Sequence, residues 1–359
     1  MPGITSFKLN SRLVLAVTLA GALATTTACS GDDGGDGGDK ASGEKKYKIA
    51  YLAQGTTNSW AAQMDAIMDT VAKESGKVDD LLYFDAAGNA ETQLGQLESA
   101  LNQRPDAIIL TPLGKSAAVG PVERAMAQDI PVILCASGVD SEDYTTQVAM
   151  NTYEASLAQA KWLVNDALGG KGTIAVVDGI AGVDTSEIMG KALREAVAEA
   201  PGVEIVQEGY GQFSVSDSKK LSQTFLASGK QIDAWWGSGG ESVTGIMSAL
   251  VDAKPAQMPP VAGATLSNGV LRMSLENDIP LGAMQFPATL AADCFEAAMD
   301  ALAGEELPKF IDVTAKDGNE NIYTEDVAKL YNEEYTDDYI IGSDSILSAD
   351  QLAKLNLVR

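Results

Sequence analysis

Ten residues stand where side chains could grip a small solute. They are Asn58 and Trp60 in QGTTNSW, Ala136 and Ser137 in CASG, Asp184 and Glu187 in GIAGVDTSE, Phe213 in GQFSVSD, Gly239 in GSGGES, Thr265 in TLSNG and Gln285 in QFP. Glycine and alanine let the backbone approach a guest, hydroxyls and amides hydrogen-bond to it, and Trp60 and Phe213 offer flat apolar faces. This is chemistry for holding a molecule rather than for breaking one. The chain contains no histidine, which removes the commonest general base, the usual zinc ligand and the Ser-His-Asp arrangement together. No G-x-S-x-G elbow is present, LGGKGT lacks the phosphate-loop spacing, and GSGGES is not G-x-G-x-x-G. Carboxylates are too plentiful, 50 Asp and Glu against 25 Lys and Arg, for any pair to be singled out as acid and base. Glu187 could hold a cation, or it could simply complement the dipole of the helix it begins. No metal site is expected: DGGDGGD lacks the alternating ligand spacing of a calcium loop.

The elements that must position these residues begin at Lys48. Ten apolar runs alternate with helical stretches: KIAYLA, LLYF, AIIL, PVILC, QVAM, TIAVVD, VEIVQEGY, IDAWW, PVAGA and PLGAMQF. Continuous apolar runs separated by amphipathic helices predict parallel strands covered on both faces, an α/β fold. The candidate residues follow the runs, where open parallel sheets take their ligands. Trp60, Met64, Ile67, Met68 and Val71 share one stripe, so the first helix packs a single face on its sheet. Trp60 serves either as a wall of the cleft or as lobe core. Trp235 and Trp236 end the eighth run, and a side-chain period of two sends them to opposite faces. The length after the leader exceeds what one core holds, and the polar stretch SGVDSEDYTTQ, residues 137–147, marks a weak break between two lobes.

The first 28 residues read as a signal peptide, with Lys8 and Arg12 ahead of an apolar run from Leu13 to Ala24 and small residues before Cys29. The run is too short to span a bilayer. A cysteine at the junction resembles a lipobox, which implies diacylglyceryl attachment to Cys29, although Thr26 stands where that pattern usually has leucine. Residues 29–46 read as a hydrated, lipid-anchored flexible linker. Cleavage after residue 28 leaves 23 Lys and Arg against 50 Asp and Glu, a net charge of about −27. Such a surface repels nucleic acid and anionic lipid. Cys135 and Cys294, in the apolar contexts VILCAS and AADCFEAA, read as small buried hydrophobes rather than as a disulfide, which an exported protein nevertheless permits.

From Lys48 to about Val313 the chain resembles the ribose-binding-protein-like, type I periplasmic sugar-binding proteins that deliver solutes to ABC transporters. The carriers are KIAYLAQGTTNSW, then RPDAIILTPLGKSAAVGPVERAMAQDIPVIL, then GIAG and GAMQFPATLA. The resemblance implies two doubly wound parallel-sheet lobes joined by a three-crossover hinge near Met150, Gln285 and Val313, with the ligand between them. The N-terminal lobe is then 47–150 plus 285–312, and the C-terminal lobe 151–284 plus 313–359, the tail lying on the second lobe. Asn58, Trp60, Phe213 and Gln285 match ligand residues of the family. Its charged sugar clamps are replaced by Ala136 and Ser137, by Glu187 or a neighbour, by Gly239 and by Thr265. Ribose itself is therefore disfavoured, and a small sugar, polyol or related polar metabolite is expected. The implied protein is a monomeric, extracytoplasmic, lipid-anchored receptor of an ABC importer, partnered by a permease, without cofactor or catalysis. A sensory receptor serving a signalling protein and an extracellular hydrolase are the alternatives; a DNA-binding repressor of related fold is excluded by the leader and by the lack of a basic helix-turn-helix.

Overall fold

Residues 45–56, 58–264, 267–314 and 321–359 are described by a computed structural model. The first half of the chain runs β1 (Tyr47–Ala53), α1 (Ser59–Glu74), β2 (Val78–Asp85), α2 (Ala90–Asn102), β3 (Ala107–Leu110), α3 (Val119–Met126), β4 (Val132–Cys135) and β5 (Thr146–Ala149). The second half runs α4 (Thr152–Lys161), β6 (Lys171–Asp178), α5 (Asp184–Ala198), β7 (Gly202–Tyr210), α6 (Val215–Ala227), β8 (Ala234–Ser238), α7 (Gly240–Ala253), β9 (Val261–Ala264), α8 (Asn268–Asn277) and β10 (Leu281–Met284). After these come α9 (Leu290–Ala303), β11 (Phe310–Asp312), β12 (Asn321–Tyr323), α10 (Thr324–Leu330) and α11 (Ala349–Lys354).

Each of the ten apolar runs falls on a strand, β1 to β10 in turn. β3 and β4 are buried at every position, as strands sandwiched between helix layers must be. The strands form two sheets, ordered β11-β5-β4-β3-β1-β2 and β12-β10-β9-β8-β6-β7. All pairings are parallel except β10 with β12. The two sheets are thus the same doubly wound motif built twice. The chain passes between them three times, after β5, after β10 and after β11. The edge strands β11 and β12 have three residues each and carry no apolar run to announce them.

The stripe on α1 is buried at Met64, Ile67 and Met68, and Trp60 is 9 % exposed. Trp235 and Trp236 are both fully buried. They fall in different core clusters, Trp235 stacked near Phe225 and Trp236 on the opposite face, as the strand period requires.

Two expectations need correction. Cys135 and Cys294 are disulfide-bonded, not free hydrophobes. The reason is tertiary: α9 returns over β3, β4 and β5 and brings Cys294 to the end of β4, with the Cα atoms 5.8 Å apart. The tail does not lie on the second lobe alone. Asn268 of α8 donates to the carbonyls of Asn332 and Tyr335, and Arg272 grips Asp337. On the other side Gln63 of α1 bonds Asp338 and Ile340, and Gln351 donates to Thr70. Tyr339, Ile340, Leu347, Leu352 and Leu357 bury themselves in the core cluster that contains α1. Among the described residues no helix is long and apolar enough to cross a membrane.

Candidate functional site

In both sheets the strand order reverses next to the first strand of its motif, between β1 and β3 and between β6 and β8. Loops leaving neighbouring strands there diverge to opposite faces and open a crevice at the carboxyl ends. One cavity lies where the crevices of the two sheets face each other. Its first wall is Gln54, Asn58 and Trp60 after β1, Thr111 after β3, and Ala136 and Ser137 after β4. Its second wall is Val183, Thr185 and Met189 after β6, Phe213 after β7, and Gly239 to Glu241 after β8, with Phe286 entering from the crossover after β10. The empty space is about 520 Å³ including the solvent-open mouth, of which about 60 Å³ can hold the centre of a water molecule. One water needs roughly 10–15 Å³ on the latter measure. The cavity therefore suits a single small solute rather than an oligomer.

Local chemistry fixes each wall. Asn58 is the N-cap of α1; its Oδ1 accepts from the Ala61 N–H at 2.9 Å, so the cap consumes the acceptor and leaves the amide NH₂ for a guest. Trp60 donates through Nε1 to the Phe286 carbonyl at 2.9 Å, and the two rings are tilted 5.5 Å apart. Trp60 is therefore both wall and core, since the bond that orients its indole also ties α1 to the crossover. Gln212 and Phe213 both have positive φ, +58° and +46°, a conformation that non-glycine residues adopt only under local constraint. That turn throws the Phe213 ring over two glycines. A Cβ at Gly179 would lie within 2.8 Å of three Phe213 ring carbons, and one at Gly239 within 2.9 Å of two. Only glycine at both positions leaves room for the ring.

The lobes touch across the mouth. The Ser137 and Thr185 hydroxyl oxygens are 2.7 Å apart. Lys115, between β3 and α3, reaches Glu187 at 2.5 Å, Asp184 at 3.9 Å and Asp140 at 3.8 Å. Its hydrogen bond to Glu187 holds the ammonium above the usual lysine range. Burial pushes the Asp184 carboxyl up, and Lys115 pulls it part of the way back. Behind the cavity, Ser238 donates to Asp178 at 2.7 Å while accepting from Trp236 Nε1 at 3.0 Å. Burial raises the Asp178 carboxyl, opposed by Ser238 and Arg194, and this network braces the ends of β6 and β8.

Of the ten candidate residues, Asn58, Trp60, Ala136, Ser137, Phe213 and Gly239 line the cavity. Asp184 and Glu187 do not; both are engaged by Lys115 at the rim, and Asp184 lies beside Gly138. Gln285 does not line it either: the crossover turns Phe286 inward in its place. Thr265 and Cys29 lie outside the described residues. Among the described residues no cluster of metal-ligating side chains is present. Sequence reasoning missed Lys115, Phe286 and above all Glu241. Among the described residues Glu241 is the single ionisable one in the lining, and no described cation pairs with its carboxylate. It is partly exposed in the cleft, yet the surrounding protein pushes its carboxyl up to about 7. The signal was in GSGGES, an acid in the first turn of a helix that starts at the cleft.

Comparison with known proteins gives one coherent result. Residues 49–306 match the family described as periplasmic binding protein domain. A xylitol-binding protein of Mycolicibacterium smegmatis is 24% identical over 345 residues, covering 87% of this chain and 95% of its own. Among solved structures, an ABC transporter solute-binding protein from Thermobispora bispora superposes with a TM-score of 0.72 at 24% identity, covering 82% of this chain and 90% of its own. A Bacillus halodurans solute-binding protein with bound myo-inositol gives 0.70 at 23% identity, covering 80% and 98%.

Proposed function

This chain belongs to the periplasmic-binding-protein family, and from that premise we propose that it is the extracytoplasmic receptor of an ABC importer, taking a small sugar or polyol into the cleft between its lobes. It is a binding protein and not an enzyme. The observation that carries the reading is the convergence of three aromatic side chains, Trp60, Phe213 and Phe286, with amide and hydroxyl groups where the carboxyl ends of two sheets face each other. Sugar-like guests present an apolar face and a hydroxylated rim, and this lining complements both. Closure around a guest shifts a two-state hinge, and the permease recognises the closed form. The lining holds none of the bidentate arginines that make pentose clamps strong. The relatives that bind xylitol and myo-inositol favour a polyol.

As part of the same reading, Cys29 carries the lipid after signal cleavage and the receptor works as a monomer beside its permease. Such tethering raises the effective concentration of receptor at the transporter. The lobe boundaries near Met150, Gln285 and Val313 act as the hinge.

A thermal-shift panel of polyols, pentoses, hexoses, modified sugars and small amines tests the receptor reading. One chemical group should raise the melting temperature, and Phe213→Ala should remove most of that rise. Trp60→Ala is the poorer probe, because losing a buried indole costs about 3–5 kcal/mol of stability by itself. Absence of any stabilising solute, or an undiminished response in Phe213→Ala, would count against the cleft.

A further inference from the structure

We infer that the cleft selects a small polyhydroxylated solute carrying an amino group, with the ammonium held by the Glu241 carboxylate against the face of Phe213. This rests on the receptor reading above and narrows its ligand class. Glu241 is the one ionisable group among the described lining residues, and that lining contains no lysine or arginine. The nearby cation at the rim, Lys115, is already committed to Glu187, Asp184 and Asp140. Arg272, which lines an adjoining cavity together with Glu241, is likewise taken by Asp337 and Glu276, so among the described residues the cleft has a carboxylate and no free countercharge.

Geometry says where the countercharge belongs. A point one carbon out from the Gly239 backbone lies 2.8 and 2.9 Å from two Phe213 ring carbons and 3.8 Å from Glu241 Oε2. The ring packs against Gly239 with the carboxylate close beside it, so both face the same cavity. An ammonium in the open cavity that both residues line would make a charge-assisted hydrogen bond to the carboxylate and a cation–π contact with the ring, which extends to about 6 Å from the centroid. A neutral polyol entering the same space strips water from the carboxylate and returns only hydroxyl donors. The ammonium instead cancels the charge in the cleft.

Helix position alone does not account for Glu241. An acid in the first turn of α7 is favoured by the helix dipole, which holds a carboxyl low. Here desolvation by the surrounding cleft outweighs that effect and drives the group up to about 7, so an unpaired carboxylate is retained at a cost although the residue is partly exposed. The remaining lining, Asn58, Gln54, Ser137 and Thr185, provides for hydroxyls. The formal net charge of −25 attracts cations to the whole molecule.

The test is calorimetric titration of the mature chain with matched pairs: 1-amino-1-deoxyxylitol against xylitol, and 1-amino-1-deoxysorbitol against sorbitol. At about pH 8 the amine of at least one pair should bind roughly tenfold or more tightly than its neutral partner, about 1.4 kcal/mol. Glu241→Gln should erase that preference. In the unmodified chain the preference should fade as pH drops through about 7, because the free carboxyl protonates there and can no longer pair with the ammonium. This pH profile reads the same interaction without any substitution. If the neutral member of every pair binds as well as the amine or better, the receptor reading stands and this inference falls. An amine preference that persists in Glu241→Gln, or that is flat in pH, overturns it equally. If no member of either pair binds, the inference falls, and the broader panel above decides the receptor reading separately.

Discussion

Gly179→Ala is the substitution whose effect follows most directly from the geometry. The added methyl would lie within 2.8 Å of three Phe213 ring carbons, a separation that two carbons do not tolerate. The ring has little freedom to retreat, because Gln212 and Phe213 already occupy positive φ and Gly239 closes its other side. Overpacking of this kind costs about 1–3 kcal/mol. The strain is relieved only if the ring leaves, which strips the second wall of the cleft of its aromatic face. Losing that face weakens ligand binding by about 1–2 kcal/mol, roughly five- to thirtyfold in Kd. The assay is a double-mutant cycle by urea denaturation with Gly179→Ala, Phe213→Ala and the pair, run alongside titration with the best solute from the panel. Because the methyl and the ring compete for one space, the double variant should lose no more stability than Phe213→Ala alone, an interaction of about 1–3 kcal/mol. Simple additivity of the two costs, or a Gly179→Ala protein with unaltered stability and affinity, would refute the reasoning.

Replacing Cys135 and Cys294 by alanine opens a crosslink spanning 159 residues. Chain entropy puts the loss at about 5 kcal/mol, and measured losses for native disulfides run about 2–5 kcal/mol. Denaturant midpoints of the double variant, and of the unmodified chain with and without reductant, should show a drop of that order; unchanged midpoints would mean that the bond constrains nothing. Lys115→Met removes the cation that joins the first lobe to Glu187 and Asp184. Partly exposed pairs are worth about 0.2–1 kcal/mol, so ligand affinity should weaken by up to about fivefold at low ionic strength. The difference should vanish near 1 M salt, where the Debye length is about 3 Å. Equal affinity of the two proteins at low salt would show that this contact does not favour closure.

The strands were legible because parallel, doubly covered strands must be continuously apolar. AIIL and VILC are buried at every position in the folded chain. The loops after them were legible as a binding surface for the same reason, since the carboxyl edge is the one place such a sheet leaves open. That is why Asn58, Trp60, Ser137 and Phe213 could be named from sequence and meet in one cavity. The absence of histidine removed the commonest general base and the usual zinc ligand from consideration, and nothing more.

What sequence could not decide is everything set by contacts between residues far apart along the chain. Asp184 and Glu187 read as ligands until the fold placed Lys115 against them, 69 and 72 positions away in number. Gln285 gave way to its neighbour Phe286 because the crossover's rotation is set by the Trp60 indole, which bonds the Phe286 carbonyl across 226 positions. Cys135 and Cys294 were two ordinary apolar contexts until α9 returned to the first sheet. Glu241 was one acid among 50, and only the folded cleft, which surrounds it with rings and neutral groups, made it the one ionisable side chain among the described lining residues. Periodicity is a local property of a chain and burial of a strand follows from it; which charges are neutralised depends on what tertiary packing brings within a few ångströms.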